Sequence, residues 1–413
     1  MKKYNIFKNF TFDEIYLFLF PVAILFRSAS LNLYIILGSI LFIIKIFKKK
    51  VTLNNIDLWI VIFLIFYFYI IFISFFALDA KSSLISSISQ IRFLLFALFI
   101  TSININLKNL QKIFYLYSII LILVSLDVIY QYIFNVDVFG LSGEPLIPTR
   151  LSGPFGTELV VGAYLTFIAL IILPYFFDKI NQINKKLKFF SIFFISLIYI
   201  TVLLSGERMA FIALNFGIFL FIVNFFKLRE NKIIFSLMTL MLILSYSLNS
   251  NVKIRYNDFK HNLLNFQDSG HGRLFASSYH IWKENIIFGV GLKNYRKVCN
   301  VDKIDSITNK KTLCSTHPHN IYLELLSETG IIGFILFLTS FYFYLIKIGK
   351  NYIKLNKSLK KYLLGSIIII LVYLWPIKSS GSIFSTFNAS FFWFNIGLSG
   401  LFLKNNFKKF NIK

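Results

Sequence analysis

Long apolar runs recur along this chain with short basic segments between them, and that alternation leaves few folds open. Runs able to cross about 30 Å of hydrocarbon fall near residues 13–29, 31–47, 58–78, 84–104, 112–134, 158–177, 189–205, 208–226, 233–249, 320–346, 362–377 and 383–403. A chain of 413 residues has room for two or three soluble domains. Its composition excludes them: hydrophobic residues make up 57% and charged residues 15%, whereas a soluble domain carries about 25% charge. Backbone in hydrocarbon must satisfy its own hydrogen bonds, so such runs are helices. The expected fold class is an all-α integral membrane protein of about 12 transmembrane helices. The first two runs are joined so closely, at Ser28 to Ser30, that they read as a hairpin. Lys2, Lys3 and Lys8 resemble the basic head of a signal sequence, but no small-residue cleavage site follows. The first run is therefore read as a retained helix.

The charges give an independent test. With the N-terminus inside, the inner segments hold Lys45, Lys48, Lys49 and Lys50, then Lys108 and Lys112, then Lys179, Lys185, Lys186 and Lys188. Further inner segments hold Lys227, Arg229 and Lys232, six lysines from Lys347 to Lys361, and Lys404, Lys408, Lys409 and Lys413. With the N-terminal three, that is about 26 of the 43 basic residues. The short outer loops carry only Arg27, Lys81, Arg150, Arg208 and Lys378. Both termini are expected in the cytoplasm. The net charge of +25 then follows from the positive-inside rule and not from nucleic-acid binding, for which no basic face or module is present.

Two outer segments exceed simple connectors. One runs from Asn135 to about Thr157, and the other from Ser250 to about Pro318. Loops of this length are uncommon unless functional. The expected organisation is helices 1–9 over residues 1–249, a loop domain over 250–318, and helices 10–12 over 319–413. Within the loop, Ala276 to Ile287 is amphipathic enough for a helix, with Tyr279, Trp282 and Ile286 on one side. Cys299 and Cys314 both lie in this loop, where an oxidising compartment permits a disulfide; two unpaired thiols are the alternative.

Three outward-facing places carry the residue types of chemistry: Ser205-Gly206-Glu207-Arg208 between two spans, His271-Gly272-Arg273 in the large loop, and Thr316-His317-Pro318-His319-Asn320 where the loop meets the tenth span. Polar groups are expensive at membrane depth, so those at helix ends are functional candidates. A helix start disfavours imidazolium and favours a bound anion. Pro318 fits a first helical turn, with Thr316 or Ser315 as cap. Arginines are multidentate phosphate donors. A neutral base beside an anion clamp is what a transfer reaction with a phosphate leaving group needs. Bland readings stand beside these: an outer-loop arginine is often only solvated, His261 and His280 have no companion motif, and Gly289-Val290-Gly291 reads as a turn. No C-x-x-C or H-x-x-x-H spacing supports zinc. Glu324 and Glu328 can cap or line the tenth helix.

Together these tracts resemble the bacterial O-antigen ligase and O-antigen polymerase superfamily. The resemblance rests on His317-Pro318-His319-Asn320-Ile321-Tyr322-Leu323 continuing through Glu328-Thr329-Gly330-Ile331-Ile332-Gly333, on Arg273 followed by Trp282 and Phe288-Gly289-Val290-Gly291, and on Ser205-Gly206-Glu207-Arg208. It covers roughly Leu151 to Phe343. It implies a glycosyltransferase of the inner membrane that moves a glycan from an undecaprenyl-pyrophosphate carrier to an acceptor hydroxyl at the periplasmic face, without metal or other cofactor. By position, Arg208 and Arg273 would hold the pyrophosphate as it leaves and His319 would deprotonate the acceptor. His317, Asn320, Glu207 and His271 would contact substrate. Arg150, in Arg150-Leu151-Ser152-Gly153-Pro154-Phe155-Gly156, resembles a further position near the carrier, but Thr157-Glu158 replaces the expected Pro-Asn pair.

The chemistry is coherent in itself. A positioned base contributes about 10²–10⁴-fold, and fixed arginines stabilise the leaving charge. Direct attack with one base and no enzyme nucleophile inverts the anomeric centre; retained configuration in the product would exclude it. The acceptor expected first is the core sugar of lipid A, as in a ligase; a growing glycan, as in a polymerase, is the alternative. A transporter or flippase is the rival from another class. It would show internal repeats and a midplane constellation of charges, where this chain has no visible repeat and chiefly Arg92 and Asp127 inside its spans.

Overall fold

The computed structural model describes residues 10–51, 56–141, 150–180, 185–225, 250–300, 313–376 and 378–404, together with Thr239, Ile243, Tyr246 and Ser247. All regular structure among the described residues is helical. The first expected run is two short helices, α1 (Phe12–Phe18) and α2 (Phe20–Leu25). Pro21 sits in the first turn of α2, where its missing N–H cannot continue α1. Arg27, in a left-handed conformation (φ 68°), makes the corner into α3 (Arg27–Phe47). The hairpin bend therefore lies at Phe26 and Arg27, and Ser28 to Ser30 are inside α3 rather than in the turn.

Next come α4 (Leu58–Ser74), then α5 (Ala80–Ser89) and α6 (Ile91–Ser102) meeting at Gln90, and α7 (Leu107–Phe134). They are followed by α8 (Val161–Ile180), α9 (Lys185–Leu204) and α10 (Arg208–Phe225). Among the described residues, five helical stretches are long and apolar enough to cross a membrane: Arg27–Phe47, Ala80–Ser102, Leu107–Phe134, Lys185–Leu204 and Ile321–Tyr352. Leu58–Ser74, Val161–Phe177 and Arg208–Asn224 are shorter apolar helices. The ninth expected run, 233–249, falls almost wholly outside the described residues.

These helices bury one face on each other and leave large apolar side chains on the other. Leu33, Phe68 and Leu123 are each more than 60% exposed. Water does not tolerate apolar belts of this extent, whereas lipid does. The chain is a membrane protein. Its core is aromatic-rich, with Phe20 stacked on Phe394 at 3.7 Å between centroids and Phe63 edge-on to Trp393 at 4.7 Å.

The large loop holds α11 (Ser250–Leu264), α12 (Gly270–Glu284) and α13 (Tyr295–Val298), and the chain ends with α14 (Ile321–Tyr352), α15 (Lys357–Tyr373) and α16 (Thr386–Lys404). The amphipathic helix begins at Gly270, ahead of the expected Ala276, because the Ser269 hydroxyl caps it by accepting from the Gly272 amide at 3.1 Å. Its buried residues include Leu274, Ser278 and Ile281, and Ser278 Oγ donates to Leu323 O of α14 at 3.2 Å. Tyr279 and Ile286, on the side that looked apolar in sequence, are exposed.

α14 is interrupted at Gly330 (φ 63°, ψ −173°). The segment after α12 lies against that break: the Val290 and Gly291 amides donate to Ser327 O and Glu328 O, and the Ile331 amide donates to Ile286 O at 2.8 Å. Gly289-Val290-Gly291 is thus a backbone seam between loop and helix. A Cβ on Gly330 would stand 2.2 Å from Ile287 O, in a conformation that L side chains rarely adopt. Gly330→Ala is expected to lower stability by about 2–4 kcal/mol, read as a fall in the melting midpoint in detergent. An unchanged midpoint would contradict this account of the seam.

Candidate functional site

The His tract is held from three directions. Asn320 caps α14, its Oδ1 accepting from the Tyr322 and Leu323 amides at 3.0 and 3.1 Å, while its Nδ2 donates to Pro376 O at 2.7 Å. The cap is therefore Asn320, not Thr316 or Ser315, and Pro318 precedes the helix rather than opening its first turn. This gives a physical reason for the His-Asn pair: the asparagine fixes the start of the helix and so the place of the histidine before it. The Ser380 amide donates to His319 O at 2.8 Å and the Tyr322 hydroxyl to Leu374 O. His319 sits in the left-handed region at φ 58°, a costly conformation that clusters at functional sites.

The structure brings His271, His317 and His319 together. The His319 ring lies 4.1 Å from that of His317 and 5.5 Å from that of His271, centroid to centroid. Ser379 Oγ is 3.3 Å from His271 Nδ1, Thr316 Oγ1 is 2.9 Å from His317 Nδ1, and Ser315 Oγ is 3.4 Å from His319 Nε2. Burial, then the neighbouring His317 and His271, push His319 down to about 4. Burial lowers His317 and also His271, the latter helped by the Arg208 charge. Desolvation and repulsion between the rings act in the same direction as the helix start expected from sequence to keep the base neutral.

The Ser205 turn joins α9 to α10 and receives the chain before α8, with the Leu151 amide donating to Ser205 O at 3.1 Å. That brings Arg150 to 4.0 Å from Glu207. Glu207 accepts from the Gly162 and Ala163 amides at 2.6 and 3.2 Å, so it satisfies the start of α8. Burial pushes its carboxyl up to about 7, opposed by Arg150 and those two amides. Glu207 thus anchors the turn and also lines the cavity that Arg208 faces. Arg208 opens α10 and lies on the wall of a mainly apolar cavity of about 190 Å³ with Tyr132, Leu203, Phe211, Arg255 and Phe259. Its Nη1 is buried without a hydrogen-bond partner, and its guanidinium stands 5.9 Å from the Phe259 ring centre.

Arg255 was only one loop charge among many in the sequence. Here its guanidinium donates twice to Gly206 O, at 3.0 and 3.3 Å. Burial and the nearby Arg208 and Arg150 charges hold it below its ordinary value. Three arginines therefore converge on one turn. Nothing in local sequence could place α11 there, since the contact joins residues 49 positions apart. Arg273 lies on the first turn of α12, two residues after His271, and does not line the Arg208 cavity. Residues 374–376 and 378–385 also escaped sequence reading as part of the site; they pack on the His tract through the contacts above, and Ile383 N donates to Glu324 Oε2 at 2.9 Å. Lys378 in that segment lies over the Phe167 and Tyr373 rings, and burial pushes it down to about 8.

Cys299 and Cys314 are joined as a disulfide with Cα atoms 5.7 Å apart. Cys314 stands three residues before His317, so the bond ties the His tract to α13. Replacing both cysteines by serine is expected to lower stability by about 3 kcal/mol, the chain-entropy figure for a loop of about 15 residues. Transfer is expected to weaken as the tract loosens; melting and activity together check it, and no change in either would contradict the tethering role. Among the described residues no group of three or more His, Cys, Asp and Glu is arranged to hold a metal ion.

These features define a membrane protein with a histidine cluster at the mouth of its helices and an arginine-lined apolar cavity near it. Residues 191–338 match the family model described as O-antigen ligase, a stretch holding Arg208, Arg273, His317 and His319. A Rickettsia conorii protein named "Putative polysaccharide ligase" is 29% identical over 201 residues, 44% of this chain and 48% of its own length. The chain thus spans about half the length of that relative. The likeness of this chain to the O-antigen ligase superfamily, carried in sequence by the ordered motifs, is shown by these two matches.

Proposed function

We propose that the chain is a glycosyltransferase that moves a glycan from a polyprenyl-pyrophosphate carrier to an acceptor hydroxyl at the outer face of a bacterial inner membrane. The observation that carries this reading is the pairing of a half-buried arginine on an apolar cavity with a neutral histidine cluster close enough for the Arg208 charge to act on His271. An apolar wall suits a polyprenyl tail, and Arg208 suits the pyrophosphate at its head. Arg255 and Arg150 raise the local positive potential. The O-antigen ligase match supports a glycan as the transferred group.

In the reaction the acceptor oxygen attacks the anomeric carbon, the bond from that carbon to the pyrophosphate oxygen breaks, and His319 takes the acceptor proton. The electron pair leaves with the pyrophosphate, which stays on its lipid beside Arg208. His317 and His271 flank the base and keep it neutral. Arg273, two residues after His271 on α12, is proposed as a further pyrophosphate contact. Transfer to lipid A-core is the preferred outcome. The test is complementation of a ligase-deficient Gram-negative strain, reading glycan-capped lipopolysaccharide on a gel. Capping restored by the native chain and lost in His319→Ala and Arg208→Ala supports ligation. Without capping, elongation of purified lipid-linked repeats would instead support a polymerase, and absence of both would overturn glycan transfer.

A further inference from the structure

A second cavity, of about 420 Å³, shares no lining residue with the Arg208 cavity, and its surface is mostly polar. Its volume falls in the range of small-molecule sites, about 300–1,000 Å³. It is walled by α5 and α6, the first turns of α14, α13 with Lys293 just before it, the His tract and the segment leading into α16. His317 belongs to both this wall and the histidine cluster.

Three groups on the wall have buried atoms without hydrogen-bond partners: Ser86 Oγ, Arg92 Nε and His317 Nε2. Buried polar atoms are rarely left so, and a ligand is one way to satisfy them. The two acids of the wall are already used by the fold. Glu324 accepts from the Ile383 amide and Glu328 from the Tyr295 amide. Arg296 is near enough to both acids for its charge to act on them, which leaves the cations Arg92 and Lys293, beside the amide of Gln90 and a set of hydroxyls. Hydroxyls and amides in such density match a hydroxyl-rich ligand, and the surplus of cations matches an acidic group on it.

We propose that this cavity seats the acceptor, a saccharide carrying an acidic substituent, and that Arg92 is a specificity-determining residue for it. The inference rests on the glycan-transfer reading for its biological role, though the cavity and its unpaired groups stand without it. Donor and acceptor then approach the histidines from separate cavities: His317 contacts the acceptor's sugar from the cavity wall, and His319, its ring 4.1 Å away, takes the proton of the hydroxyl that reaches the donor.

The test is calorimetric titration of the full chain in lipid nanodiscs. The probes are undecaprenyl pyrophosphate and a panel of soluble oligosaccharides that are neutral, uronate-bearing or phosphate-bearing. Acidic oligosaccharides are expected to bind more tightly than neutral ones, and the two acidic arms tell carboxylate from phosphate recognition. Arg92→Gln is expected to weaken the acidic probe about tenfold with carrier affinity retained, and Arg208→Ala to do the reverse. Ser89→Phe, which fills the cavity, is expected to abolish saccharide binding while carrier binding shows the protein is intact. The proposal is overturned if no saccharide in the panel binds, if neutral and acidic probes bind alike, or if binding survives both cavity variants. Failure of undecaprenyl pyrophosphate to bind the native chain would instead sink the donor reading and leave the saccharide arm to be judged alone.

Discussion

His319→Ala is expected to lower glycan transfer by at least about 10²-fold, the scale of a lost general base, with the protein still folded and still binding carrier. The ring meets other histidines and the Ser315 hydroxyl, and the helix cap belongs to Asn320, so the melting midpoint of the variant checks that it is folded. The same residue sets the acid limb of the pH profile. Its folded value is about 4, below the ordinary 6.5, through burial and then His317 and His271. It is therefore neutral and competent at all pH values above about 4, and kcat/KM, which reports the free enzyme, should hold level down to about pH 5 and fall below that. Bound pyrophosphate adds negative charge nearby and raises the value, so the limb in kcat moves upward. For stability the sign is the same. The unfolded chain takes up this proton from about 6.5 downward, so the group's contribution is intact above 6.5 and lost as pH falls through 4. A kcat/KM limb centred near 6.5 would show that the base is not the buried His319.

Arg208→Ala is expected to cost about 10²–10³-fold in kcat, as for removal of a donor aimed at developing charge, and to weaken carrier binding. Its buried nitrogen has no hydrogen-bond partner and lies on an apolar wall, so an anion there gains a charge-assisted bond in a place where water competes poorly. Arg208→Lys should recover only part, since a single ammonium cannot replace a planar fork on a diphosphate. Carrier titration and single-turnover transfer check both variants. Unaltered carrier affinity in Arg208→Ala, with normal transfer, would move the pyrophosphate out of this cavity.

Much of the fold was legible because lipid imposes one periodicity on every span. Apolar runs marked α3 to α10 and α14 to α16 to within a few residues, since length and hydropathy decide them. The first run was misread because Pro21 breaks a segment whose hydropathy is continuous. The ends of α12 were misread because Ser269, a single hydroxyl, decides where that helix starts. The site was legible where its residues are contiguous, as in Thr316 to Asn320 or Ser205 to Arg208. It was illegible where neighbours come from distant segments: Arg255 reaches Gly206 across 49 residues, and Ser379 reaches His271 across 108. The capping role of Asn320 was not read from sequence, because a cap and a ligand contact look alike there. Arg92 was noticed as a charge inside a span, and only its packing against the polar cavity shows what that charge faces.

The central claim is that one neutral histidine activates an acceptor for direct displacement of lipid pyrophosphate. The most direct test is a single-turnover reaction of the purified chain with isotopically labelled lipid-linked glycan and an acceptor, followed by determination of the anomeric configuration of the new bond. Inversion, with intact undecaprenyl pyrophosphate released and both absent in His319→Ala, is the predicted result. Retained configuration, or full transfer by His319→Ala, would contradict it.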